Sequence, residues 1–187
     1  MSDDLDRMFV DESVLTELMQ SHMAWITKCL SDGDHKSWTP SLAALVKAHP
    51  DDKGELFLHV LAVPFDEHEE KHDAMMQIGR SIYQAKKIPV AAVLASEAWM
   101  SKQRPGQVAE YCEPRHDPMR QEGIIIFGLT IDGKHALITH APFERDAKEN
   151  IKAEAFGEIM KGAKLALLAS FYRGFFEVPM AKAGIKP

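Results

Sequence analysis

Asp132-Gly133 stands between two apolar runs, "GIIIFGLTI" before it and "KHALITHAPF" after it. An Asp-Gly link accepts the positive φ values of a tight turn, so the chain folds back there and the flanking runs pair as antiparallel strands. A chain committed to such a hairpin must build a sheet and then cover its apolar face. Ile88 to Ala95, "IPVAAVLA", is apolar without alternation. That pattern suits a strand covered on both faces.

The covering elements are legible as helices. After Asp11, a good N-cap, the residues Val14, Leu15, Leu18, Met19, His22, Trp25, Ile26 and Cys29 recur at helical spacing, which predicts an amphipathic helix ending near Gly33. Asp66 is expected to cap a second helix running to about Lys87, with Ala74, Met75, Ile78, Ile82 and Ala85 inward. Leu56 to Val63 reads as a strand that stops at Pro64. Residues 40–49 carry opposed signals: Thr39-Pro40 suits a helix start, whereas "HPDDKGE" suits a hairpin turn, and the hairpin is the favoured reading. Asn150 to Phe156 fits a last strand or the beginning of a helix, and Glu158 to Phe176 is helical by content. The expected class is α+β, a mostly antiparallel sheet of about five or six strands packed by two or three helices. One domain over 1–187 is expected, with 1–10 and 179–187 loose.

Composition excludes several functions. The longest apolar run, Leu165 to Tyr172, falls far short of the ~20 residues that span a bilayer. A net charge of −6 opposes attraction to phosphate backbones. The local basic residues Lys102, Arg104, Arg115 and Arg120 are interleaved with Glu110, Glu113 and Asp117. Nucleic acid and membrane are therefore not expected partners. The acidic start "MSDDLDRMFVDE" does not resemble an export signal, and the expected location is cytoplasmic. Cys29 and Cys112 form no CxxC pair, which leaves two structural thiols as the reading.

One stretch matches a catalytic pattern. His68-Glu69-Glu70-Lys71-His72, "HEEKH", fits the HExxH motif that places two imidazoles and a carboxylate base on one helix. Here the motif occupies the first turn, with the histidines on the shoulder of the packed face and Glu69 towards solvent. Asp66, Glu67, Glu69 and Glu70 complement the dipole of a helix N-terminus, so a solvated first turn is the preferred account. A zinc site at His68 and His72 is the alternative, with Glu97, His116, His135 or His140 as a third ligand. Ser96 and Ser170 lack the strained GxSxG turn of a nucleophile elbow, and no phosphate loop or dinucleotide fingerprint is found.

A second stretch is more informative about layout. "SEAWM", Ser96 to Met100, closes an apolar strand, and "HDPMRQEGIIIFG" opens another about twenty residues later. A strand ending in SEAWM followed by a DPxRxE strand start resembles a family of small uncharacterised prokaryotic proteins. The likeness extends over Leu56 to His140 and implies the order of elements without an activity.

If those two strands pair antiparallel, Glu97, Trp99, His116, Asp117, Arg120 and Glu122 gather as a polar cluster at one end of the sheet. Two carboxylates around a guanidinium would fix the long loop to the sheet through charge-assisted hydrogen bonds. The alternative use is a metal-dependent hydrolase, in which Glu97, Asp117 and Glu122, beside His116, hold a divalent cation and activate water. No cofactor is expected outside these two metal alternatives. The leading expectation is a non-enzymatic binding or assembly module. In it the C-terminal "LALLASFYRGFFEV" supplies a homodimer surface through Phe171, Tyr172, Phe175 and Phe176.

Overall fold

The computed structural model describes residues 10–48, 56–63, 70–101, 120–162 and 166–182. In chain order they form α1 (Glu12–Ser31), β1 (Ser41–Lys47), β2 (Leu56–Ala62), α2 (Glu70–Gln84) and β3 (Ile88–Ser101). Then come β4 (Arg120–Thr130), β5 (Ala136–Arg145), β6 (Ile151–Ala153), β7 (Met160–Lys161) and α3 (Ala166–Lys182). Every strand pair is antiparallel, in the order β2-β1-β3-β4-β5-β6, with β7 on the same side of β5 as β6. This is the α+β class expected. Among the described residues no helix is long and apolar enough to cross a membrane.

Period-two alternation divides the core into two layers. Ala91, Val93 and Ala95 of β3 meet Leu15, Leu18, Met19 and Ile26 of α1 on one face. Ala92 and Leu94, one residue along, meet Met75 of α2 and Leu168, Phe171 and Tyr172 of α3 on the other. The unbroken apolar run of β3 thus follows from burial on both faces. β2 and β3 both run antiparallel to β1, so they are parallel to each other, and α2 is the crossover between them. The hairpin reading of 40–49 holds for Ser41–Lys47, which pairs with β2 along its whole length, while residues 49–55 lie outside the described residues.

Local chemistry explains the ends of elements. Asp11 caps α1, its Oδ1 accepting from the amides of Ser13 at 3.0 Å and Val14 at 3.2 Å. α2 ends with the amide of Lys87 donating to Ile82 O and that of Lys86 donating to Tyr83 O, which leaves Lys86 at φ 56. That position is usually glycine, because a side chain costs about 1 kcal/mol in the left-handed region. Lys86→Gly is accordingly expected to raise stability by roughly 0.5–1 kcal/mol, read as a higher urea midpoint with an unchanged slope.

Several expectations need correction. Glu158 to Lys161 is not helical: Met160 and Lys161 pair with Ile138 and Leu137, because the open side of β5 offers hydrogen bonds that a helix start would leave unmade. α3 also continues through Pro179 to Lys182 instead of ending there. Ala85 lies exposed beyond the end of α2, and Trp25 is 39% exposed at the margin of its helix face. Asp66 falls outside the described residues.

The expected homodimer surface on α3 is the largest change. Phe171, Tyr172 and Phe175 are 0%, 5% and 6% exposed, and the Tyr172 hydroxyl donates to Leu129 O at 2.9 Å. These rings fill the space between α2 and the sheet. Of the four aromatics only Phe176, at 37%, is exposed.

Candidate functional site

β3 outruns β1 by six residues, since Ser41 is already opposite Ala95. Beyond that point the α1 face of β3 meets the loop between α1 and β1. The carboxylate of Glu97 accepts from the backbone amide of Trp38 at 2.5 Å, which ties this loop to the sheet. Trp99 lies opposite Glu122, and Ser101 lies opposite Arg120. By the pleat, Glu97, Trp99, Arg120 and Glu122 therefore project from the α1 face, as the expected cluster requires.

Its organising cation is a residue the sequence did not single out. Arg145, the last residue of β5, donates from Nε to Glu122 at 2.9 Å, and its Nη2 stands 3.8 Å from Glu97. Its Nη1 donates to Lys36 O and, at 3.4 Å, to Glu149 O. One guanidinium thus joins β3, β4 and two loops. The only early signal was an arginine closing an apolar strand, a common arrangement that does not identify its partners. Arg120 instead lays its guanidinium 3.8 Å above the ring of Trp99, a cation–π arrangement on a ring that is 40% exposed. His116 and Asp117 lie outside the described residues.

This geometry makes the cluster a clamp. Glu97 and Glu122 already share a positive charge, and a divalent cation bound by the same oxygens would have to displace Arg145. Removing the cation would leave two partly buried carboxylates facing each other. Arg145→Met is expected to cost about 2 kcal/mol in urea unfolding.

The HEEKH stretch is described from Glu70 onward, so His68 lies outside. His72 is exposed on α2, and its Nδ1 is 2.7 Å from the hydroxyl of Ser170 on α3. Ser170 also donates to Ala166 O at 3.1 Å, within its own helix. α2 packs on the face opposite Glu97, so the sheet separates His72 from that candidate third ligand. His135 stands 3.4 Å from Glu12, at the β4–β5 turn. Among the described residues no group of three His, Cys, Asp or Glu side chains is placed to hold a metal ion.

A different feature comes from the sheet order. On the β5 side the sheet is covered at one end by the three residues of β6 and at the other by the two of β7. At the other margin lies β2, "LFLHVLA", seven residues without Asp, Glu, Lys, Arg or proline. Among the described residues it pairs on one side only. Leu58 is 53% exposed and Val60 44% exposed, both on the face that α1 covers farther in. Two observations make this the candidate site: a main-chain edge that is unpaired among the described residues and exposed apolar side chains beside it. Compared with family models, with curated proteins and with solved structures, the chain gave no match in any of the three.

Proposed function

We propose that the protein is a non-catalytic binding and assembly module, and that the outer edge of β2 is its docking element. The observation that carries this reading is an edge strand without Asp, Glu, Lys, Arg or proline, with Leu58 and Val60 exposed beside it. Edge strands that remain unpaired are ordinarily blunted by a charge, a proline, a bulge or short length. β2 has none of these, and its pairing with β1 is continuous over all seven residues. An added strand would hydrogen-bond along the edge, and its alternate side chains would pack on Leu58 and Val60. The Arg145 clamp supports the same reading by giving the polar cluster a structural role at the far end of the sheet.

The test uses a synthetic strand as probe: the sequence of residues 56–62 flanked by lysines for solubility. Titrated into isotopically labelled protein, it is expected to shift the amide resonances of β2 and to slow exchange of their outward N–H groups. Unchanged spectra at millimolar peptide would reject the edge as a docking element.

A further inference from the structure

Resting on that reading, we infer that the natural occupant of the edge is β2 of a second copy, paired antiparallel about a two-fold axis through His59. A strand can add to its own twin in this way only if residue i meets j while j meets i. The pleat narrows the choice further. With the α1 faces of both copies on the same side of the joined sheet, Leu58 and Val60 must oppose residues of the same face. This requires the axis to pass through a residue and not between two.

An axis through His59, the midpoint of Leu56–Ala62, keeps all seven residues paired. Moving the axis to the next residue loses two pairs. In the centred register Leu58 of each copy stands against Val60 of the other, and Leu56 stands against Ala62. The two Leu58–Val60 contacts then form one apolar patch on the α1 face, covering side chains that are half exposed in the single chain. Charge agrees with this choice. Two chains of net charge −6 repel, but the strand at the contact brings no acidic group to it.

The extent of the contact sets its class. A seven-residue strand pair is about 24 Å long and buries on the order of 1,000 Å² in total, the lower limit for a specific interface. A contact of this size belongs to the weak, transient class, so the association is expected to be reversible in the micromolar range. It joins two antiparallel sheets into one, with α1 on one face of each half and α2 and α3 on the other.

Sedimentation velocity of the full chain, from about 1 to 500 µM, is expected to show a shift from monomer to dimer across that range. Val60→Lys, a substitution at an exposed position, is expected to weaken the dimer by at least about tenfold. The register is tested separately in a Cys29→Ser, Cys112→Ser background by mixing Leu58→Cys protein with Val60→Cys protein under mild oxidation. Directly opposed Cα atoms lie about 4.5–5.5 Å apart, within disulfide reach, so the mixed dimer should exceed each like dimer by well over the statistical twofold ratio. A statistical 1:2:1 yield of like, mixed and like dimers would overturn the register. A dimer unaffected by Val60→Lys would overturn the site. A chain that stays monomeric at 500 µM while still binding the probe strand would overturn the second copy as occupant and leave the edge reading standing; loss of probe binding as well would end both.

Discussion

Gly174→Ala is expected to destabilise the fold by about 3–4 kcal/mol, although alanine has the higher helix propensity by about 1 kcal/mol. α2 and α3 lie side by side and run in the same direction, with His72 beside Ser170 near one end and Arg80 bound to Glu177 at 2.5 Å near the other. Between these contacts the backbones touch. A Cβ on Gly174 would lie 2.6 Å from Met76 Cα and 2.7 Å from its carbonyl carbon, with Met76 O closer still. On the facing helix, a Cβ on Gly79 would lie 2.8 Å from Phe175 N and 3.1 Å from Phe171 C. The obstacles are main-chain atoms, which no change of rotamer can remove. The helices would have to separate, loosening Phe171 and Met75 from the core beneath them. For a chain of this length the loss corresponds to a fall in Tm of roughly 6–16 °C. Gly157→Ala is the control, because its Cβ would meet only His140 O at 3.7 Å, and it should change stability by less than about 0.5 kcal/mol. A neutral or stabilised Gly174→Ala would refute the backbone contact.

The same pair of glycines marks the limit of what local sequence states. Each sits inside an apolar helical pattern, "QIGRSIY" and "FYRGFFE", where glycine is unfavourable unless something needs the space. The signal was present, but only the tertiary arrangement says which backbone approaches. The Asp132-Gly133 turn, by contrast, carries its instruction locally: Gly133 takes φ 68, its amide donates to Thr130 O at 2.9 Å, and the strands on either side pair as expected. β3 was legible for the same reason, since burial on both faces is written in its composition.

Long-range facts were not legible. That Glu97 and Glu122 share one end of the sheet followed from pairing β3 with β4, yet Arg145 arrives from β5 through a register no local pattern states. The edge position of β2 depends likewise on β1 pairing with β3, a contact between segments more than forty residues apart. The aromatic content of α3 was visible, but its assignment to the interior depended on α2 and the sheet enclosing it from two sides. Patterning identified elements and faces; the candidate site arose from the order in which the elements were joined.

His22 is expected to make the protein acid-sensitive well above the range in which carboxylates titrate. Its ring is 3% exposed, stacked on Trp25 at 5.2 Å between centroids, and its Nε2 lies 3.1 Å from the hydroxyl of Ser41. Burial disfavours the imidazolium and lowers its pKa from an ordinary 6.5 to about 4, with a hydrogen bond to the backbone of Ser41 opposing only part of that shift. The unfolded chain takes up a proton near pH 6.5, whereas the folded chain refuses it until about pH 4. Stability therefore falls as pH drops through this window and levels off below it. The loss is about 3 kcal/mol in all, of which about 2 kcal/mol occurs between pH 7 and pH 5. Asp11 and Asp146 have pKa values lowered below 3.8, chiefly by hydrogen bonds to their carboxylates; at Asp132 burial is the largest single effect and raises the pKa, but the Thr130 and Lys134 hydrogen bonds and the Lys134 charge together outweigh it, so the contribution of all three is lost at still lower pH. Urea midpoints at pH 7, 6 and 5 isolate the histidine. His22→Gln keeps a partner for Ser41 without a titrating group, so its midpoint should vary far less over that interval, even if its stability at pH 7 is lower. Equal slopes for the two proteins would mean that His22 is protonated in the fold, and that the contact between α1 and β1 admits water.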